Sequence, residues 1–141
     1  MTPEEEQVLE ANQHFYTALQ KLSLEEMETV WLQEDWVRCV HPGWEILEGW
    51  EAIRGSWQQI FGSTQFMHIV MAVQSIRVEN SLAWVCCTEK ISSAAAGRFD
   101  SDFIQTTNIF KRQNGAWYLV HHHASSRPTS QAEEEKTELV Q

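Results

Sequence analysis

Basic residues are few in this chain: ten Lys and Arg stand against 20 Asp and Glu, for a formal charge of −10 over 141 residues. They form no cluster, which argues against nucleic acid or an anionic membrane as partner, since both are held by arrays of positive charge. Much of the acidic excess lies in Glu4–Glu6 and in the tail from Gln131; between these ends the balance is 13 acidic to 9 basic residues, a mildly acidic body. Cysteine is also short. Cys39, Cys86 and Cys87 are odd in number, and the neighbours at 86 and 87 point to opposite faces of a strand, so no disulfide framework is expected. The chain lacks any apolar run near 18 residues and any basic-then-apolar leader, so a reducing, soluble compartment is expected, with the cytoplasm as default. It also lacks an internal repeat.

What is present is a single domain's worth of core. Apolar residues make up 43% of the chain and seven are Trp, which excludes disorder of the whole, while 141 residues are too few for two well-filled cores. Thr2-Pro-Glu-Glu5 reads as a capping box with Pro at the first helical position. Val8, Ala11, Asn12, Phe15, Leu19 and Leu22 then recur at helical spacing, predicting a helix from Pro3 to Gln20. Ser23-Leu-Glu-Glu26 is a second capping box opening a short helix with Met27, Val30 and Trp31 inward. Trp36–His41 reads as a brief strand stopped by Pro42-Gly43. Trp50–Phe61 reads as a third helix, ended by Gly62, with the stripe Trp50, Ile53, Trp57, Ile60 and Phe61.

The remainder is β: strands over Phe66–Val78 and Leu82–Ile91, a small-residue loop over Ser92–Gly97, then Asp102–Arg112 and a hairpin at Gln113–Gly115. Helices first and a meander of strands afterwards predict an α+β domain over residues 1–126, its helices segregated to one face of an antiparallel sheet. Residues 127–141 are expected to be a flexible acidic tail. Several strands are apolar on both sides, so the face not covered by helices is expected to meet a second copy, giving a homodimer through the outer sheet face.

The closing strand is bipolar. Strict alternation over Trp117–Ser125 puts Trp117, Leu119, His121, His123 and Ser125 on one face and Tyr118, Val120, His122 and Ala124 on the other. A face that is apolar at one end and carries two imidazoles and a hydroxyl at the other suits a small-molecule pocket. By this reading His122 points to the dimer surface.

The two N-terminal helices, the strand ending Cys-Val-His-Pro-Gly43, the helix Gly49–Phe61 and the closing Asn-Gly-Ala-Trp-Tyr-Leu-Val-His-His-His-Ala-Ser125 together resemble the SnoaL-like branch of the nuclear transport factor 2-like superfamily, over roughly residues 5–126. That resemblance implies a strongly curved antiparallel or mixed sheet forming a cone, three helices on its concave face, a cavity inside and a dimer. The fold hosts isomerases, dehydratases, cyclases and oligomerisation modules, so it leaves the chemistry open. The Asp pair of the epoxide hydrolases and the Tyr-plus-two-Asp set of the steroid isomerases do not map onto this chain; the His pair and an upstream acid resemble the dehydratase and cyclase pattern.

His121 and His123 are the candidate acid/base pair for enolisation or dehydration, with Asp35 or Glu89 as the carboxylate that orients them. The alternatives are ligand contact without chemistry, and polar core residues satisfied by neighbouring strands. The hairpin decides their neighbours: a two-residue Asn114-Gly115 loop places Thr106 and Asn108 beside the pair, a Gly115 bulge places Thr107 there. His41, Trp44, Trp57, Phe61, Met67, Glu89 and Ser125 are the candidate ligand contacts, with Trp44 as a lid and Arg54 as a grip for an acidic substrate. A zinc site built from Cys39, His41, His121 and His123 is the competing chemistry, but it lacks the short ligand spacings of zinc motifs, and neither metal nor cofactor is expected. The expected activity is a cofactor-independent lyase or isomerase on a hydrophobic, aromatic and possibly acidic small molecule; a noncatalytic dimerisation or protein-interaction module is the alternative.

Overall fold

The computed structural model describes residues 1–128; the expected tail from residue 129 onward lies outside them. The first two helices start where their caps predict. Helix α1 spans Pro3–Gln20, its N-terminus closed by the reciprocal Thr2–Glu5 capping box, and α2 spans Leu24–Val30 behind the Ser23 cap. Helix α3 spans Trp50–Ser63, so Gly62 sits inside its last turn and Thr64, already extended, ends it. Gly49 caps α3 at φ 85°, and a Cβ there would lie 3.3 Å from the Asp35 carbonyl oxygen, so both conformation and space call for glycine.

Six strands follow: β1 (Arg38–Val40), β2 (Leu47–Glu48), β3 (Phe66–Glu79), β4 (Leu82–Ala95), β5 (Arg98–Gln113) and β6 (Ala116–Ser126). They form one mixed sheet in the order β2-β1-β6-β5-β4-β3, with β1 parallel to β6 and every other pair antiparallel. The expected loop over Ser92–Gly97 is instead the tip of a long hairpin. Ala95 pairs with Arg98, and only Ala96 and Gly97 turn, at φ 52° and 77°, the mirror-image geometry that suits a twisted ladder. Small residues read as a loop because they lack β propensity, but the ladder hydrogen bonds do not need bulky side chains.

The core fills the concave side. Phe15, Met27, Val30, Ile53 and Trp57 from the helices, with Trp31 just after α2, bury against Ala83, Val85, Cys87, Phe110 and Leu119 of the sheet. Bulges interrupt the register in β3, between Val73 and Ser75, and in β6, opposite Ile109 and Phe110. Each bends its strand and tightens the twist, which curves the sheet around the helices. No helix among the described residues is long and apolar enough to cross a membrane.

Candidate functional site

The bulge in β6 decides which histidine faces the interior. From the two-residue Asn114-Gly115 turn the ladder runs Arg112↔Trp117, Lys111↔Tyr118, Phe110↔Leu119, and then jumps to Ile109↔His121. Val120 is the extra residue. Leu119 and Val120 are therefore both buried, and alternation resumes with its phase reversed: His122 and Ala124 are buried, whereas His121, His123 and Ser125 lie on the outer face. This corrects the face assignment made from strict alternation. The tight turn forms as one alternative required, yet Thr107, not Thr106, stands beside His123, because one inserted residue undoes what the turn set.

Asn108 is the hub of the interior network, and each of its hydrogens has a place to go. Its Nδ2 donates to Asn12 Oδ1 at 3.0 Å and toward Tyr16 Oη at 3.5 Å. Its Oδ1 is left to accept, and it takes the Nδ1 hydrogen of His122 at 2.6 Å. His122 is thus a neutral tautomer with a free lone pair on Nε2; burial holds its pKa down at about 3. Asn12 passes the chain on to Cys87 Sγ at 3.5 Å. Tyr16 donates its hydroxyl to Glu89 Oε2.

Glu89 follows Ala83, Val85 and Cys87 along the inner face of β4 and is the only buried carboxylate among the described residues. Burial pushes its carboxyl above the usual range, against the opposing effect of the Tyr16 and Thr106 hydroxyls. Burial and the Glu89 charge likewise push the Tyr16 phenol up, so Tyr16 stays a donor.

His41 enters from the end of β1. Ser56 gives its hydroxyl hydrogen to the Ile53 carbonyl at 2.7 Å, so it accepts from His41 Nε2 at 2.8 Å, leaving Nδ1 as an acceptor. Burial lowers the His41 pKa to about 4. Its ring packs edge-on between Trp44 at 4.8 Å and Trp57 at 4.6 Å, and lies 6.5 Å from the His122 ring.

These groups converge on one cavity of about 270 Å3. His41, His122 and Glu89 supply its polar edge; Trp44, Trp57, Ile60, Met67, Leu19 and Ile91 supply its apolar walls. Trp44 is partly exposed at the rim, as a lid residue would be, and Phe61 backs Trp57 at 5.6 Å. Sequence alone points to five residues of this wall, His41, Trp44, Trp57, Met67 and Glu89; it places His122 on the wrong face and Asn108 beside the wrong histidines, and gives no site role to Asn12, Tyr16 or Ser56, which hold the wall from behind. Asn12 carried a legible signal, an amide on the apolar stripe of α1; the others acquire meaning only through pairing across the sheet.

The remaining candidates lie elsewhere. His121 and His123, ring centres 6.2 Å apart, line an outer groove of about 480 Å3 with Ser125, Cys86 and Thr107. Asp35 is exposed in the turn before β1, where its carbonyl accepts from Arg38, so it orients neither histidine. Arg54 pairs with Glu28 of α2 at 2.7 Å and does not reach the cavity. Strand β1 does adjoin β6, but Cys39 and His41 face inward while His121 and His123 face outward, so the four never converge. The three cysteines are free, with Cys86 and Cys87 on opposite faces.

A family model described as a SnoaL-like domain matches residues 8–129. The chain belongs to the SnoaL-like domain family. This SnoaL-like domain superposes on a candidate dehydratase of the NTF2-like family from Streptomyces avermitilis with a TM-score of 0.82, at 30% identity, covering 88% of this chain and 97% of the other. A candidate calcium/calmodulin-dependent protein kinase type II association domain from Thiobacillus denitrificans matches with a TM-score of 0.77 at 27% identity, over 90% and 96% of the two chains. The F-box protein SKIP8 of Arabidopsis thaliana is 29% identical over 118 residues, 84% of this SnoaL-like domain; the chain spans 48% of that relative's length. The expected α+β cone of the NTF2-like superfamily is thereby the observed fold.

Proposed function

We propose that the domain is a cofactor-independent enzyme that moves a proton on a hydrophobic small molecule held in the inner cavity, with Glu89 as proton carrier. The observation that carries this is the burial of a single carboxyl, pushed above its usual range, in the wall of a cavity whose other polar groups, His41 and His122, are held neutral. A carboxyl so displaced approaches the pH at which it both takes and returns a proton well. His122 and His41, held far below neutrality, are weak bases and serve as hydrogen-bond acceptors that orient the ligand. The acid/base role expected of His121 and His123 thus passes to Glu89, and His122 takes the part of an uncharged ligand contact.

In the reaction, Glu89 removes a proton from the carbon beside a carbonyl as electrons move onto the carbonyl oxygen. Returning that proton to another carbon isomerises the ligand; returning it to a departing hydroxyl breaks the C–O bond and releases water. The similarity to a candidate dehydratase at 30% identity supports this class. Exchange of the α-protons of 2-tetralone in D2O, followed by proton NMR, tests it. The wild type should exceed the buffer rate, and Glu89→Gln should lower the enzymatic rate at least ~100-fold, the ordinary scale of general acid–base catalysis. Exchange no faster than in buffer would overturn the reading for carbonyl ligands.

A second reading is an association module acting through the outer sheet face, as a homodimer. It is favoured by the exposed Trp84 and Val70 on that face and by the similarity to a candidate kinase association domain. The two readings use opposite faces of one sheet and are compatible.

A further inference from the structure

Resting on the inner cavity as the ligand site, we propose that it selects an uncharged ligand of one or two rings bearing a hydroxyl or carbonyl, and turns carboxylates away. Charge is the first argument. Among the described residues no Lys or Arg lines the cavity. Arg54, the basic residue of α3, is engaged by Glu28, and Arg38 lies across from His121 on the outer side. The ionisable groups that do line it are Glu89, His41 and His122, and none supplies a standing positive charge: both imidazoles are held neutral by burial, and Glu89 is either neutral or negative. An isolated carboxylate entering such a site loses its hydration without gaining a partner.

Hydrogen-bonding sense is the second argument. His122 Nδ1 is spent on Asn108 and His41 Nε2 on Ser56, so neither imidazole has a hydrogen to give; the His122 Nε2 lone pair is unengaged, while the Cys39 thiol lies 3.9 Å from His41 Nδ1. The unengaged lone pair asks for a donor, which a hydroxyl supplies and a carboxylate cannot. Protonated Glu89 has a hydrogen to give to a carbonyl or hydroxyl oxygen. Size is the third. A cavity of about 270 Å3 is roughly twice the ~150 Å3 engineered cavity that accepts benzene, room for two fused rings and too small to enclose four.

Binding of 2-naphthol and 2-naphthoate at pH 7 tests the inference by calorimetry, since the two share shape and differ in charge. The indole N–H resonances of Trp44 and Trp57, assigned through Trp44→Phe and Trp57→Phe, report whether the probe enters the inner cavity. The expected result is 2-naphthol bound at least tenfold tighter than 2-naphthoate, with both resonances shifted. Glu89→Gln should keep 2-naphthol within about threefold, because the amide has the same shape and its Oε1 can still accept the naphthol hydrogen, even if it abolishes proton exchange; loss of exchange alone then speaks to the enzymatic reading and leaves the selectivity intact. Equal or tighter binding of 2-naphthoate, binding of neither probe below millimolar, or shifts confined to other Trp residues would overturn the inference.

Discussion

Replacing His122 by Gln isolates the energetic consequence of turning this histidine inward. In the folded protein burial depresses its pKa from 6.5 to about 3, while the unfolded chain has the ordinary value. The neutral form is therefore favoured by folding: its contribution is fully present above pH 6.5 and is lost as pH falls from 6.5 toward 3, because the unfolded state takes up a proton that the folded state refuses. Each pH unit inside that window costs about 1.36 kcal/mol, so between pH 7 and pH 5 the wild type loses about 2 kcal/mol through His122 alone. Gln does not titrate and its amide can still donate to Asn108. His41 and Glu89 titrate in both proteins and drop out of the difference. With a urea slope near 2 kcal/mol per molar, the wild-type midpoint should fall about 1 M further than that of His122→Gln between pH 7 and pH 5. Midpoints that fall in parallel, within about 0.3 M, would refute the buried neutral imidazole and with it the phase reversal at Val120.

The same phase reversal predicts that His121→Ala and His123→Ala, on the outer face, each change stability by less than about 0.5 kcal/mol and leave 2-naphthol affinity unchanged, as read by urea unfolding and calorimetry. Asn108→Ala strands the His122 Nδ1 hydrogen and the Asn12 carbonyl oxygen, each worth about 1–3 kcal/mol, and should lower the urea midpoint visibly. Glu89 is raised by burial, so its favourable contribution is present below its ordinary 4.5 and is lost as pH rises through the folded value. Glu89→Gln should therefore raise the melting temperature at pH 7 and above, with the two melting curves converging below pH 4.5. Trp84→Glu places a charge on the outer face, and light scattering should then shift from twice 16.4 kDa to one chain; an unchanged mass would place the proposed dimer contact elsewhere.

Local chemistry made most of the fold legible. The capping box at Thr2 and the Ser23 cap act within one turn, so the starts of α1 and α2 were determined by the residues themselves, although Glu26 turns to Lys21 and the expected second box does not close. The aromatic stripe of α3 likewise announced its inner side, and with it Trp57 in the cavity wall. Glu89 was readable for a similar reason: β4 runs without a bulge across that stretch, and period-two alternation from Ala83 carries through to the carboxyl. Gly62 and the Ser92–Gly97 segment were misread because propensity alone marked them as breaks, whereas tertiary pairing carried the helix and the strands through.

The closing strand shows where residue chemistry ends. The sequence by itself determined that three histidines would follow an apolar stretch at the end of the sheet, and that a hairpin turn at Gln113–Gly115 would begin it. Only the tertiary structure decided which of them turns inward. Alternation has period two, so a single extra residue at Val120 exchanges the faces of all that follows, and a bulge is a response to sheet curvature and to packing beneath it. His122 gains its identity from Asn108, fourteen residues back on β5, and through it from Asn12 and Tyr16 on α1. Those partners are brought within hydrogen-bonding distance by the curved sheet closing over the first helix.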